Sequence, residues 1–148
     1  MKKIVIFDLD GTLALIDSRR ELSTKDNGKM DWSVFFNHKM ISLDDPNTPV
    51  IQMANLLSSD YRIWILSGRS DATQQATIDW LSDNDVHYDH LVMRPQNHLY
   101  MPDNDLKQMW LDNIGVDNVA MVFDDRNQVV DMWRKNGLTT FQVADGDF

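Results

Sequence analysis

Cysteine is absent from the 148 residues. No disulfide and no thiolate metal site can therefore support the fold, which fits a reducing compartment, and a cytoplasmic location is expected. No apolar stretch approaches the length of a membrane span. No signal-peptide pattern precedes the first apolar run, which starts directly after Met1-Lys2-Lys3. A soluble chain without a membrane partner is the expectation. Positive charge is also scarce: 14 lysines and arginines face 23 aspartates and glutamates, a formal net charge of −9. That argues against extended binding along a nucleic-acid backbone, which calls for a basic stripe, whereas one terminal phosphate needs only a local basic cluster. No glycine-rich loop closed by Gly-Lys-Ser or Gly-Lys-Thr occurs, which excludes that kind of nucleotide site. At this length residues 1–148 read as a single domain with room for a real core.

What is present is organised around Ile4-Val5-Ile6-Phe7-Asp8-Leu9-Asp10-Gly11-Thr12. An unbroken apolar run without polar alternation is the pattern of a parallel strand covered on both faces, and such sheets bind ligands beyond the carboxyl ends of their strands. Asp8 falls at that end. Gly11 permits a tight turn, and Thr12 offers a hydroxyl and an N–H, so the loop can receive an anion beside two carboxylates. Carboxylates beside a phosphate need a cation between them, and Mg2+, with its preference for oxygen ligands, is the fitting one. Taken alone, Asp8 and Asp10 could equally be solvated turn residues.

Other apolar runs end in the same way. Tyr61 to Leu66 runs into Ser67-Gly68-Arg69, Tyr88 to Met93 into Arg94, and Asn118 to Phe123 into Asp124-Asp125. A final strand is predicted over 139–143. Between them fall helices: one opened by Pro49, with Val50, Met53, Ala54 and Leu57 on one face; one over 72–81 capped by Ser70; and one over 103–113 that stops at Gly115. A fourth covers 128–135. In the 103–113 helix Asp103 reads as the N-cap and as an i,i+4 partner of Lys107. Strands alternating with helices indicate an α/β, doubly wound parallel sheet, which gathers the strand-end polar residues along one edge.

Residues 14–48 break this rhythm and read as a small cap or lid insert, with a short helix over 31–37 whose Phe35 and Phe36 pack inward. Trp32 fits either packing or stacking on a base. Arg19 and Arg20 are the cations nearest the Asp8 loop in sequence; arginine suits bidentate phosphate recognition, and a solvated surface role is the alternative. His38, His87, His90 and His98 show no metal spacing and no paired nucleophile, so all four are read as non-catalytic.

Asp8-Leu9-Asp10-Gly11-Thr12, Ser67-Gly68-Arg69, Lys107 and Asp124-Asp125 resemble the four motifs of the haloacid dehalogenase-like (HAD) phosphatase superfamily. The stretches 124–134 and 142–148 are further similar to the 3'-phosphatase domain of bacteriophage polynucleotide kinase-phosphatase. The resemblance implies a HAD-like (Rossmann-like) fold in which Asp8 attacks phosphorus to form an aspartyl-phosphate. Asp10 would protonate the leaving oxygen and then activate water, while Lys107 neutralises charge. Ser67 would orient the phosphoryl oxygens, with Gly68 leaving room for them. The same resemblance singles out Arg19, Arg69 and Asp103; Arg94 is added from its place at a strand end.

The implied cofactor is Mg2+, held by Asp8, the Asp10 carbonyl, and Asp124 or Asp125. The implied reaction is Mg-dependent removal of a 3'-phosphate from a polynucleotide or nucleotide end, so a phosphorylated end is the expected partner. The kinase half of the bifunctional relatives is expected to be absent, and a phage-encoded protein working in the host cytoplasm is suggested. A 5'-nucleotidase or small-molecule phosphatase is the alternative, and a non-catalytic binding module a third.

Overall fold

The computed structural model describes every residue of 1–148 except Phe36, and of His38 the backbone alone. The predicted packing of Phe36 and the reading of the His38 side chain fall outside the described residues. Among the described residues seven strands are formed: β1 (Ile4–Phe7), β2 (Ala14–Leu15), β3 (Asp45–Pro46), β4 (Arg62–Ser70), β5 (His90–Arg94), β6 (Val119–Asp124) and β7 (Thr140–Gln142). The α-helices are α1 (Asp17–Ser23), α2 (Trp32–Phe35), α3 (His38–Ile41), α4 (Thr48–Leu57), α5 (Gln74–Asp83), α6 (Asp103–Ile114) and α7 (Asn127–Lys135).

The main sheet has the order β5-β4-β1-β6-β7, and every pairing in it is parallel. The chain winds outward from β1 through β4 to β5, then returns across β1 to build β6 and β7. The reversal places a crevice beyond the carboxyl end of β1, where doubly wound sheets bind ligands. The four side chains of β1 are almost wholly removed from water, worth roughly 2 kcal/mol each. Val5 and Phe7 pack under α4 and α5 with Ile51, Ala54, Trp80 and Leu81. Ile4 and Ile6 pack on the other face under α6 and α7 with Leu106, Leu111, Val129 and Trp133. Phe7 stacks on Phe123 at 4.6 Å between ring centroids, and Phe123 on Phe141 at 4.9 Å.

Three local expectations change. On α4 the buried residues are Val50, Ile51 and Ala54, while Met53 is 39% exposed; a short surface helix turned by a few tens of degrees exchanges one flanking position for the other. At the start of α6, Asp103 is not a cap. Its Oδ1 accepts from Arg94 Nη2 and its Oδ2 from Arg126 Nη1 at 3.0 Å. Nor does it pair with Lys107, whose ammonium is drawn inward by deeper carboxylates. Finally, β4 does not stop at Leu66 but continues to Ser70, with a register shift against β5 between Ser67 and Ser70. Such an irregularity re-aims side chains. Ser70 does cap the following 3₁₀ turn, accepting from Ala72 N at 3.2 Å.

Within the segment 14–48, β2 pairs antiparallel with β3, and α1, α2 and α3 lie between them in sequence. Helix α1 lacked an apolar signal because the buried residues it contributes are Arg19 and Ser23.

Candidate active site

Asp8 sits one residue beyond β1, where its N–H still donates to Phe123 O at 2.9 Å. Gly11 makes the turn that follows, at φ +82°, and a Cβ there would meet Asp125 Oδ2 at 1.9 Å. Both facts require glycine. Asp124 ends β6, Asp125 follows it, and the carboxylates of Asp8, Asp124 and Asp125 offer oxygens within 4.8 Å of one another. Lys107 reaches this cluster from the buried side of α6, donating to Asp8 Oδ1 at 2.7 Å and Asp124 Oδ2 at 3.2 Å.

One ammonium against three carboxylates leaves a negative excess in a buried place. Burial, followed by the charge of Asp124, pushes the Asp8 carboxyl well above the usual carboxylate range, against the pull of Lys107. The same two causes lift Asp125 to about 6. Burial alone would lower Lys107, but Asp124 and Asp8 outweigh it and keep the ammonium charged. An all-oxygen donor set carrying excess charge is what a hard divalent cation requires, so these residues fit Mg2+. Asp124 already accepts from Trp133 Nε1 at 3.1 Å and from the Asp125 N–H at 2.8 Å, besides Lys107. Asp125 accepts from neither Lys107 nor Trp133.

Beside the carboxylates stands an ion-pair box. Arg69 donates to Asp10 Oδ1 from Nε at 2.9 Å and Nη2 at 2.6 Å, to Asp44 Oδ2 at 2.9 Å, and to Thr77 Oγ1 at 3.0 Å. Arg19 donates to the same Asp10 oxygen at 2.8 Å, to Asp44 Oδ1 at 3.1 Å and to Phe35 O at 3.2 Å. Burial pushes Asp10 up, but Arg69 and then Arg19 outweigh it and hold the carboxyl below its ordinary value. For Asp44 burial wins over both arginines and lifts it to about 6. A third arginine, Arg94, donates to Gly68 O at 2.8 Å and to the carbonyls of His98 and Met101 as well as to Asp103. A Cβ on Gly68 would meet Asp103 Oδ1 at 2.7 Å, so that glycine makes room for the acid.

A cavity of about 580 Å³ opens over these groups. Asp8, Asp10, Gly68, Arg69, Arg94, Asp103, Lys107, Asp124 and Asp125 line it. Thr12, Arg19 and Ser67, all buried, stand behind its wall. Thr12 Oγ1 donates to Asp8 Oδ2 at 3.2 Å, and Ser67 Oγ accepts from the Arg69 N–H at 3.1 Å. The side chains of His87 and His90 are not among the lining groups, nor is that of His98. Sequence reasoning missed Asp44, which sits in a polar Ser-Leu-Asp-Asp stretch without any pattern, and it gave no role to Tyr100, Arg126 or Phe148, which also line the cavity. For the last two the only signal was their place inside stretches singled out by resemblance.

The family model for the polynucleotide kinase PNKP phosphatase domain matches residues 2–148. A putative bifunctional polynucleotide kinase/RNA ligase of Autographa californica nuclear polyhedrosis virus is 32% identical over 148 residues, covering 96% of this chain and 19% of its own length. The structure of a Pnkp1/Rnl/Hen1 complex contains a chain that superposes with a TM-score of 0.79 at 37% identity, covering 100% of this chain and 48% of that one. The chain thus spans about a fifth of the viral relative and about half of the solved one. A HAD family enzyme of Bacteroides thetaiotaomicron, solved with magnesium and inorganic phosphate, shares the fold at TM-score 0.64 and 12% identity, covering 100% of this chain and 97% of its own. Among the described residues no helix is long and apolar enough to cross a membrane.

Proposed function

The chain belongs to the family of polynucleotide kinase PNKP phosphatase domains, and from that membership we propose that it is a Mg2+-dependent phosphomonoesterase that removes 3'-phosphates from polynucleotide or nucleotide ends. The observation that carries the reading is the placement of Asp8 at the floor of the cavity, hydrogen-bonded to Lys107 and grouped with Asp124 and Asp125, with Asp10 two residues on. Asp8, the Asp10 carbonyl and Asp125 would hold Mg2+, with Asp124 fixing Lys107 behind them. Bound there, the ion would neutralise charge on the attacking carboxylate and the phosphoryl oxygens.

The remaining chemistry falls to the chain's own groups. An Asp8 oxygen attacks phosphorus, the Asp8–phosphorus bond forms, and the bond to the leaving 3'-oxygen breaks while Asp10 delivers a proton to that oxygen. A water then attacks the aspartyl-phosphate, gives its proton to Asp10, and releases phosphate with Asp8 restored. Resting Asp10 is ionised because Arg69 and Arg19 hold it so; the proton it delivers enters from solvent as the substrate binds, and the one it takes from water returns to solvent when phosphate leaves. A phosphate dianion in the cavity competes with Asp10 for Arg69, and this loosening raises the proton affinity of Asp10 at the step that needs an acid. Lys107, fixed between Asp8 and Asp124, supplies positive charge without reorganisation, and Arg69 adds its own as it turns to the phosphate.

The test is phosphate release with Mg2+ from matched 3'- and 5'-phosphorylated oligonucleotides and mononucleotides, with Asp8→Asn as control. Selective 3' release that disappears in Asp8→Asn supports the reading. Preference for 5'-mononucleotides keeps the mechanism and replaces the substrate with that of a nucleotidase; absence of Mg2+-dependent turnover overturns it in favour of a binding module. Because the viral relative is a putative polynucleotide kinase/RNA ligase and a similar chain occurs in the Pnkp1/Rnl/Hen1 RNA repair complex, an end of RNA is the first substrate to try.

A further inference from the structure

A phosphoryl group occupies only a small part of a 580 Å³ cavity; pockets of this size hold whole nucleotides or drug-sized ligands. We propose that Phe148, set between Arg20 and Arg126 on the rim of the cavity that Tyr100 also lines, is the seat of the 3'-terminal nucleoside, and that the two arginines take the phosphodiester behind it. The inference rests on the 3'-phosphatase reading and names the part of the site that would recognise the nucleic-acid end.

The segment leading to Phe148 is tied down along its length. Val143 N–H donates to Asp124 O at 3.0 Å, Gln142 Nε2 donates to Asp125 O at 2.9 Å, and Asn127 N–H donates to Gly146 O at 2.9 Å. Gly146 lies so close to the loop that a Cβ would meet Asp125 O at 1.8 Å and Arg126 Cα at 2.7 Å. Phe148 N–H donates to Gly146 O at 2.9 Å, and Arg126 Nε donates to Phe148 O at 2.9 Å. These ties fasten the segment to the loop that carries the metal-ligand candidates. Yet the ring they position is 50% exposed. The backbone that carries the ring is thus held in place, and a ring left half in water offers a face to a ligand rather than to the core.

Its neighbours have the chemistry of a polynucleotide contact. The guanidinium carbon of Arg20 lies 5.0 Å from the Phe148 ring centroid and that of Arg126 5.4 Å from it. Guanidinium N–H groups can receive a phosphodiester oxygen; Arg126 has given Nε to Phe148 O and Nη1 to Asp103, so its Nη2 and the exposed Arg20 are the groups that would do so. The buried arginines, Arg19 and Arg69, are engaged by Asp10 and Asp44, whereas Arg20 is exposed and Arg126 has a single ion pair, to Asp103. Tyr100, 97% exposed, lines the same cavity. Aromatic rings accept any base face and so bind without sequence preference. With a net charge of −9 and a rim of two arginines, contacts beyond about two nucleotides are expected to add little.

Kinetics on p-nitrophenyl phosphate, a nucleoside 3'-monophosphate, a 3'-phosphorylated dinucleotide and a 3'-phosphorylated decanucleotide test this. The wild-type KM should fall along the first three and level off at the dinucleotide. Phe148→Ala should lower kcat/KM for the dinucleotide at least tenfold more than for p-nitrophenyl phosphate, through KM, with Phe148→Leu behaving like Ala and Phe148→Trp restoring the difference. Arg20→Ala should weaken the dinucleotide more than the mononucleotide. Loss in equal proportion on every substrate would make Phe148 a strut between cap and core and overturn the proposal, as would no loss at all. The 3'-phosphatase reading is judged separately on the wild type: if it prefers the 5'-phosphorylated isomers, that reading falls and this inference with it.

Discussion

Arg69 grips one oxygen of Asp10 at two points, Nε at 2.9 Å and Nη2 at 2.6 Å, and the same guanidinium reaches Asp44 at 2.9 Å. All the arginine bonds to Asp10 fall on Oδ1, which leaves Oδ2 to the cavity. The arginine therefore aims the carboxylate as well as holding its charge. Arg69→Ala strands Asp10 and Asp44 with one cation fewer in a buried place, and an expected loss of about 3 kcal/mol or more appears as a lower urea midpoint. Arg69→Lys keeps the charge and loses the two-point grip: the fold survives, and kcat falls by roughly tenfold or more.

Asp44 carries the pH dependence of the ion-pair box. Its carboxyl titrates at about 6 in the folded chain, above the ordinary 3.8, so between those values the folded state keeps a proton that the unfolded state has lost. Stability from this group is full below about pH 4 and declines as pH rises through about 6. Asp44→Asn cannot titrate. The stability difference between wild type and Asp44→Asn should accordingly shrink by roughly 3 kcal/mol between pH 4 and pH 6.5 and stay level above that. Urea unfolding of both proteins across this range measures it; a difference that grows with pH would contradict the assignment.

Gly11→Ala combines two conflicts, a Cβ within 1.9 Å of Asp125 Oδ2 and a positive φ of 82°. Displacing Asp125 should remove the cation site. In the wild type, Mg2+ at about 100 times its dissociation constant should add about 2.7 kcal/mol of stability. Gly11→Ala should show a much smaller gain in thermal melts with and without Mg2+, and phosphate release should fall with it.

Trp133 is wholly buried and donates to Asp124 Oδ2 at 3.1 Å. Trp133→Phe keeps most of the ring and deletes the donor. Expected are a loss of about 1–3 kcal/mol from the charged hydrogen bond and a Mg2+ affinity about tenfold weaker, because Asp124 loses its orientation. Chemical denaturation and Mg2+ titration of the melting temperature read the two effects independently.

Much of this is legible in the sequence. The apolar runs at 4–7, 63–66 and 119–123 read as parallel strands because both of their faces are covered, so no polar residue interrupts them. The acids at their ends followed directly, since a strand that stops at a carboxylate announces where the sheet edge is. Residues 14–48 were readable only as an insert. Helix α1 turns Arg19 and Ser23 inward, and periodicity detects a buried face only when that face is apolar.

The sequence by itself determined the order of the main-sheet strands and of the helices between them outside residues 14–48, the edge where Asp8, Ser67, Arg94, Asp124 and Asp125 gather, and the family. These depend on hydrophobic pattern and local turn chemistry, which neighbouring residues specify. Tertiary structure alone decided the partners. It took Lys107 from Asp103 to Asp8 and Asp124, took Asp103 from its helix to Arg94 and Arg126, and drew Asp44 to Arg19 and Arg69 across 25 residues of chain in each direction. A buried charge pairs with whichever opposite charge shares its low-dielectric surroundings, and only the folded packing determines which one that is.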